Sequence, residues 1–449
     1  MKKILQIYTR GMKNLFQPIV IDFANATIET GIKKVNNVKG VFGFNGAGKT
    51  AFIKSVDLYK KIVTVPNYLL QNETTKKLDK LLNFKLRGFE FSIIFEYKGS
   101  VVVKHSIKLE KSKFSKFYII TNEDISLSTG RTLNDRYKSF IYKSNQGIEI
   151  INDEDFTNGS LEYLKKSQHD DSSLVLEVVK NIVDEAEKDS KKLTKMDPLE
   201  KILFSLYTNV ADIGVYLSDS DSHTHFSFDE EEINEILNSV ELLRSKKELL
   251  VNTYTDETVI PISRYEQYLK ENKKLHKFIQ AFKPDLKEIQ ILKSEDGGFY
   301  HVRKLFKYPE YNVELEFESS GIKQLVRLFS ILLKCAEGSA VFVDEIDTNI
   351  NSVYFEKLVL FFKNYGKGQL FFTTHNVEAM NALKGQTRSI LAMGDNNKID
   401  VWVGRGNKSP IKDYVEGYFP NSPMNIEDFD FVNIFLGEEQ DAGNSCFGN

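Results

Sequence analysis

The sequence predicts an α/β chain in which a sheet carries packed helices and a helical segment is inserted between its two halves. Three observations carry that reading. A β-patterned run, "VKGVFG", leads straight into the glycine loop "GFNGAGKT" (residues 43–50), after which Phe52, Ile53, Val56, Tyr59 and Val63 fall at helical spacing. Near the other end, "IKQLVRLFSILLKCA", "AVFVDEI", "VYFEKLVLFFKNYG" and "QLFFTTH" alternate helix and strand, the pattern of a parallel sheet covered by helices. Between them, from about Leu161 to Pro284, apolar residues recur at the 3.6-residue helical period.

Taken in order, "ILQIY" and "PIVIDF" are short strands that precede "VKGVFG". Beyond the first helix, "FEFSIIFEYKG" and "SVVVKHSIKLE" alternate apolar and polar residues around a "KGS" turn and predict a β-hairpin. Strand-like pieces continue to about Ile151. The helical stretch is punctuated by Pro198, by the Ser-rich acidic loop "DSDSHTHFSFDEEE" and by Pro261, so its segments are too short for a coiled-coil arm. "KEIQIL" and "YNVELEF" resume the strands, and "SILAMG" with "IDVWVG" forms a last pair. The expected organisation is residues 1–152 and 286–405 as the two halves of one unit, 153–285 as a helical insertion and 406–449 as a tail.

Composition narrows the class. The chain has 449 residues, 41% hydrophobic and 27% charged, which suits a folded chain rather than a disordered one. The apolar run after Lys3 is cut by Tyr8, Thr9 and Arg10, unlike a signal peptide. Nothing approaches the ~18 apolar residues of a membrane span, so a cytoplasmic protein with no membrane partner is expected. Cys335 and Cys446 lie far apart, without metal-ligand spacing. Net charge is −3, but residues 76–116 hold eleven Lys and Arg against four Asp and Glu. That stretch reads either as a solvated sheet edge or as a contact for nucleic acid or an acidic partner. His223 and His225 in the acidic loop lack a third ligand and read as solvated.

The chemistry concentrates in four motifs. "GFNGAGKT" fits G-x-x-x-x-G-K-[ST] with a strand before it and a helix after it. The backbone N–H groups of Gly43, Asn45, Gly46, Ala47 and Gly48 would cradle phosphates, Lys49 would reach the β and γ oxygens of ATP, and Thr50 would ligate Mg²⁺. "AVFVDEID" ends an apolar strand on two carboxylates, Asp344 for Mg²⁺ and Glu345 as general base for an attacking water. "LFFTTHN" delivers His375 to a strand end, where it would touch the γ-phosphate. "ESSGIKQLVRL" opens a helix whose first turn is capped by Ser319 or Ser320, and the same start would receive a γ-phosphate presented by a second subunit.

In this order, loop, serine–glycine helix, carboxylate pair and histidine resemble the ABC-type ATPases, in the SMC/RecF/OLD-like branch, with "SSGIK" in place of the transporter signature. "ELEFESSGIKQL", "AVFVDEID", "GQLFFTTHN" and "YVEGYFPNSP" look like the AAA-type ATP-binding proteins of bacterial anti-phage systems, such as the ATPase subunit of PARIS and, more distantly, those of Septu. The resemblance covers about Met1 to Glu110 and Glu288 to Pro423. It implies an ABC-type P-loop head with a mixed sheet and a helical insertion. It also implies slow regulatory ATP hydrolysis, a homodimer or larger homo-oligomer closed by Ser320 and Gly321 of a neighbouring copy, and Asp347 in a loop that speaks across that dimer. A partner nuclease of Toprim type and a phage-protein trigger are what the same resemblance implies, and the 74 residues after His375 are too few for a nuclease domain of the chain's own. A position often held by histidine is Asn351 here, and Gln71 is the nearest candidate for the glutamine that senses the metal. The alternative function is a DNA repair or recombination ATPase that binds DNA directly.

Overall fold

The computed structural model describes residues 3–24, 35–97, 101–128, 137–144, 147–150, 171–188, 195–217, 257–386, 388–394, 397–404 and 409–422. The acidic loop with His223 and His225, the part of the helical stretch over residues 230–251, Cys446 and the 98–100 turn lie outside them.

Seven strands form an antiparallel sheet: β1 (Ile4–Arg10), β2 (Ile19–Asp22), β4 (Gly88–Glu96), β5 (Val102–Lys111), β6 (Tyr118–Ser128), β7 (Lys138–Ser144) and β8 (Gly147–Ile150), in the order β2-β1-β4-β5-β6-β7-β8. The predicted hairpin is β4 with β5. A second sheet runs β17-β16-β3-β15-β14-β9 and comprises β3 (Val38–Gly43), β9 (Gly214–Tyr216), β14 (Ala340–Val343), β15 (Gln369–Thr373), β16 (Ile390–Met393) and β17 (Ile399–Val401). All its pairings are parallel except β16 with β17. A third, small sheet joins β10 (Glu257–Pro261), β11 (Glu288–Asp296), β12 (Phe299–Lys307) and β13 (Asn312–Glu314).

Helices cover both faces of the parallel sheet, which is why its strands read as unbroken apolar runs. Successive side chains of a strand point to opposite faces. Phe342 and Phe371 accordingly join a core with α1 (Lys49–Thr64), α3 (Leu174–Lys188), α4 (Pro198–Asp212) and the antiparallel sheet. Val341, Val343, Leu370 and Phe372 join another core with α6 (Ser320–Glu337), α7 (Ser352–Tyr365) and α8 (Ala379–Leu383). The remaining helices are α2 (Asn72–Leu81), α5 (Tyr265–Phe282) and α9 (Pro410–Val415). The buried Gln369 amide ties two sheets together, accepting from the Ile4 N–H at 2.7 Å and donating to the Ile4 carbonyl at 2.8 Å.

The stretch read as a wholly helical insertion is not wholly helical. Its described residues include α3, α4 and α5, but α4 ends at Asp212, and Gly214–Tyr216 pairs in parallel with β14 at the edge of the glycine-loop sheet. A side chain on Gly214 would meet Val341 at 3.0 Å, so the residue that interrupts the helix also permits the close approach. Three residues are too few to show a strand period, and pairing with a distant strand decides their state. Glu257–Pro261, read as a helix boundary, is likewise a strand, paired with β12.

Candidate functional site

The site is built at the edge where the parallel strands end. At the exit of β3, Gly43 has φ +131°, and a Cβ there would sit 2.0 Å from the Met393 carbonyl oxygen, so only glycine fits between β3 and β16. Gly46 (φ +80°) faces open space, leaving the backbone of Asn45 and Gly46 accessible, while Ala47, Gly48 and Lys49 are buried beneath it. Gly48 caps α1 with a left-handed backbone, and Lys49 and Thr50 begin the helix, with Thr50 half-buried.

Two side chains that the sequence did not single out hold the loop's shape. Asn14, between β1 and β2, donates to the Gly46 carbonyl at 2.7 Å. Asn397, between β16 and β17, donates to the Ala47 carbonyl at 3.2 Å and accepts from the Phe16 N–H at 3.2 Å. With Phe16, Phe44 and Asn45 they line a cavity of about 330 Å³ beside the loop. The only sequence signal for either residue is an asparagine in a turn, which is far too common to select them.

Lys49 is 6% exposed and its amine donates to the Gly43 and Phe44 carbonyls, at 2.8 Å each. Burial brings the amine down to about 8, against the opposing pull of the Asp344 and Glu345 charges. The carboxylate pair follows β14 directly. Asp344 is 1% exposed and accepts from the Thr373 hydroxyl at 2.6 Å, while that hydroxyl accepts from the Glu345 N–H at 2.8 Å. Glu345 has φ +47°, a left-handed backbone that costs a non-glycine residue energy and persists where its surroundings hold it. Thr373 thus holds the Asp344 carboxylate and the Glu345 backbone from the neighbouring strand. Its sole trace in the sequence was its place in "LFFTTHN".

His375 is exposed just past β15, and its basicity is lowered by partial burial first and by the Lys49 charge second, with Asp347 and Asp344 pulling the other way. The structure therefore brings Lys49, Asp344, Glu345, Asp347 and His375 within electrostatic reach of one another. Ser319, not Ser320, caps α6, accepting from the Ile322 N–H at 3.3 Å, and Ser320 is exposed. Gly321 packs so closely that a Cβ would lie 2.8 Å from the Asn349 carbonyl, which couples the start of α6 to the loop containing Asp347. Among the described residues no hydrogen bond or ion pair joins Ser320 or Gly321 to the glycine loop of the same chain. Asn351 caps α7 through the Val353 N–H at 3.0 Å. Gln71 is exposed at the start of α2, where it accepts from the Thr74 hydroxyl.

A loop whose backbone is open at Gly46, backed by a buried lysine and a fixed carboxylate, fits a nucleotide triphosphate. Among the described residues no three or more His, Cys, Asp or Glu are grouped as an all-protein metal cage. Mg²⁺ ordinarily takes one or two protein ligands plus phosphate and water, a demand Thr50 and Asp344 meet by type. Among the described residues no helix is long and apolar enough to cross a membrane.

No curated protein matches the sequence. Among solved structures, similar ones include an Smc head bound to the C-winged helix domain of ScpA (13% identity, 89% of this chain and 97% of that one, TM-score 0.40). Another is the Pyrococcus furiosus Smc head domain with an extended coiled coil bound to the C-terminal domain of ScpA (14%, 90% and 96%, 0.40). A third is the recombination mediator RecF (12%, 90% and 98%, 0.38). Likenesses at this distance place no constraint on the site. The sequence model of the family described as "AAA domain, putative AbiEii toxin, Type IV TA system" matches residues 40–381, from the strand that feeds the glycine loop to the helix beyond His375. Spanning that much of the chain, the match identifies this protein as a member of that AAA-domain family.

Proposed function

We propose that the chain is an ATP-binding and ATP-hydrolysing switch, the sensor or scaffold subunit of an anti-phage defence system, which holds or releases a partner nuclease of Toprim type in response to a phage protein. The observation that carries the ATPase part is the double role of Thr373, which fixes Asp344 and Glu345 together beside Lys49. The defence role rests on the resemblance of the motifs and on the family's toxin–antitoxin description.

In this reading the amides of Gly43 to Gly48 and the Lys49 ammonium hold the phosphates and spread the charge that builds as the terminal phosphoryl leaves. Mg²⁺, which Thr50 and Asp344 would hold, would supply neutralisation of the phosphate charge. Glu345 accepts the proton of the attacking water. His375, its basicity in the free protein lowered by partial burial and the Lys49 charge, donates one hydrogen bond to the γ-phosphate. The second copy's Ser320 and Gly321 complete the site, and ATP works by binding the closed assembly more tightly than the open one.

The test is a pair of variants. Glu345→Gln keeps shape but cannot take the proton, so it retains nucleotide binding and slows turnover by ~10²-fold or more. Asp344→Asn weakens Mg²⁺-dependent binding itself. Equal loss of binding in both would refute the division of labour. A second reading, direct DNA binding, draws on exposed Lys113 and Lys116 in the basic stretch, although Lys108 and Lys111 are already paired with Glu110 and Asp79. Steeply salt-dependent duplex binding by the protein alone would favour it.

A further inference from the structure

Two exposed patches of opposite charge flank the glycine-loop edge, and each carries charges without an ion-pair partner among the described residues. The first is the turn between α2 and β4. Phe84 is 79% exposed, Lys85 lies over the Phe84 and Phe16 rings at 5.9 and 5.8 Å, and Arg87 is exposed with φ +50°. This turn is latched to the site: Asn83 donates to the Gly11 carbonyl at 2.7 Å and to the Lys13 carbonyl at 2.8 Å, and the neighbouring Asn14 holds Gly46. The second patch is the segment leading into α6, where Glu310, Tyr311, Glu316 and Phe317 are exposed, Phe317 by 74%. The other two acids there are engaged, Glu314 with Arg303 at 3.2 Å and Glu318 with the Tyr308 hydroxyl. Among the described residues Lys85, Arg87, Glu310 and Glu316 have no ion-pair partner.

Both patches belong to one edge. A two-residue link joins α6 to β14, so the helix runs back along the strand and starts where β14 ends, at Asp344. β3 is parallel to β14 through β15, so its glycine loop is at the same edge. Yet α1 and α6 cover opposite faces of the sheet, which keeps the two patches of a single chain from neutralising each other.

We infer that a second copy of this chain docks here, with the Glu310/Glu316/Phe317 segment of each copy seated on the Phe84/Lys85/Arg87 turn of the other. The inference rests on the composite-site reading above and adds the residues that orient it. A two-fold axis makes the same contact twice, so every copy must carry one patch of each sign, as this chain does. The charges steer and register the approach, and the exposed rings Phe84 and Phe317 supply apolar contact once water is excluded.

The experiment uses the full chain in a Glu345→Gln background, with Mg²⁺-ATP, and reads self-association by sedimentation. One variant reverses the basic patch (Lys85→Glu with Arg87→Glu), another the acidic patch (Glu310→Lys with Glu316→Lys). Each alone carries two patches of one sign and should associate at least ~10-fold more weakly than the parent, less so at high salt, where exposed charges are screened. Mixed together, the two variants present opposite signs at both contacts and should assemble to within about threefold of the parent. Absence of ATP-dependent association in the parent would overturn the composite-site reading and this inference with it. A parent that associates while both variants match it would overturn the inference alone, as would variants that fail both singly and mixed. Unchanged association, with loss of binding to a fluorescent DNA duplex on reversal of the basic patch, would assign that patch to nucleic acid and overturn the inference.

Discussion

Replacing Thr373 with valine tests whether one hydroxyl organises the carboxylate pair. Valine preserves the shape of the side chain and its branched β carbon but removes the donor to Asp344 at 2.6 Å and the acceptor for the Glu345 N–H at 2.8 Å. Thr373 is fully buried, so water does not replace either bond. A hydrogen bond to a charged group contributes about 1.5–3 kcal/mol and a neutral one about 0.5–1.5 kcal/mol, which together predict a loss of about 2–4.5 kcal/mol. Glu345 also loses the anchor that holds its left-handed backbone, so its carboxylate should leave the position needed for base chemistry. Urea unfolding at constant m-value reads the first effect, and Mg²⁺-ATP turnover corrected for folded fraction reads the second. Thr373→Ser keeps the hydroxyl and should recover most of the activity while losing about 1 kcal/mol for the missing methyl. A valine variant within about 0.5 kcal/mol of the parent, with unchanged turnover, would refute the reasoning, since that lies inside the range of neutral substitutions.

The remaining predictions concern the glycine loop. Lys49 has its amine at about 8, and its charged form is the one that binds phosphate, so ATP affinity should be retained below that pH and fall as pH rises through it. If only the charged form binds, affinity at pH 9 should be about tenfold weaker than at pH 7, measured by fluorescent-nucleotide titration. Flat binding across that range would show that the amine is not what binds the phosphate. Gly43→Ala places a methyl 2.0 Å from the Met393 carbonyl on a backbone with φ +131°, so it should cost several kcal/mol and abolish nucleotide binding, read by thermal melts with and without ATP.

What could be read from the sequence was local. The glycine loop, the helix it opens and the apolar strand ending in Asp344 and Glu345 announce themselves because each depends on neighbours a few residues away. Gly43 must be glycine for its own backbone angle, and "AVFV" is apolar throughout because both its faces are covered. Ser319, one of the two caps offered for its helix, follows the same rule, since a helix cap is settled within one turn. Tertiary structure decided the rest. Thr373 serves the Asp344 carboxylate and the Glu345 backbone, 29 and 28 residues away, and Asn397 reaches the loop across 350 residues, so no spacing rule singles them out. Gly214–Tyr216 became a strand because β14 offered an open edge, against the helical pattern before it. The two exposed charge patches are ordinary surface residues in the sequence, and only the direction of α6 against β14 sets both beside the glycine loop, because residues far apart in the chain are brought together by how strands pair and helices pack.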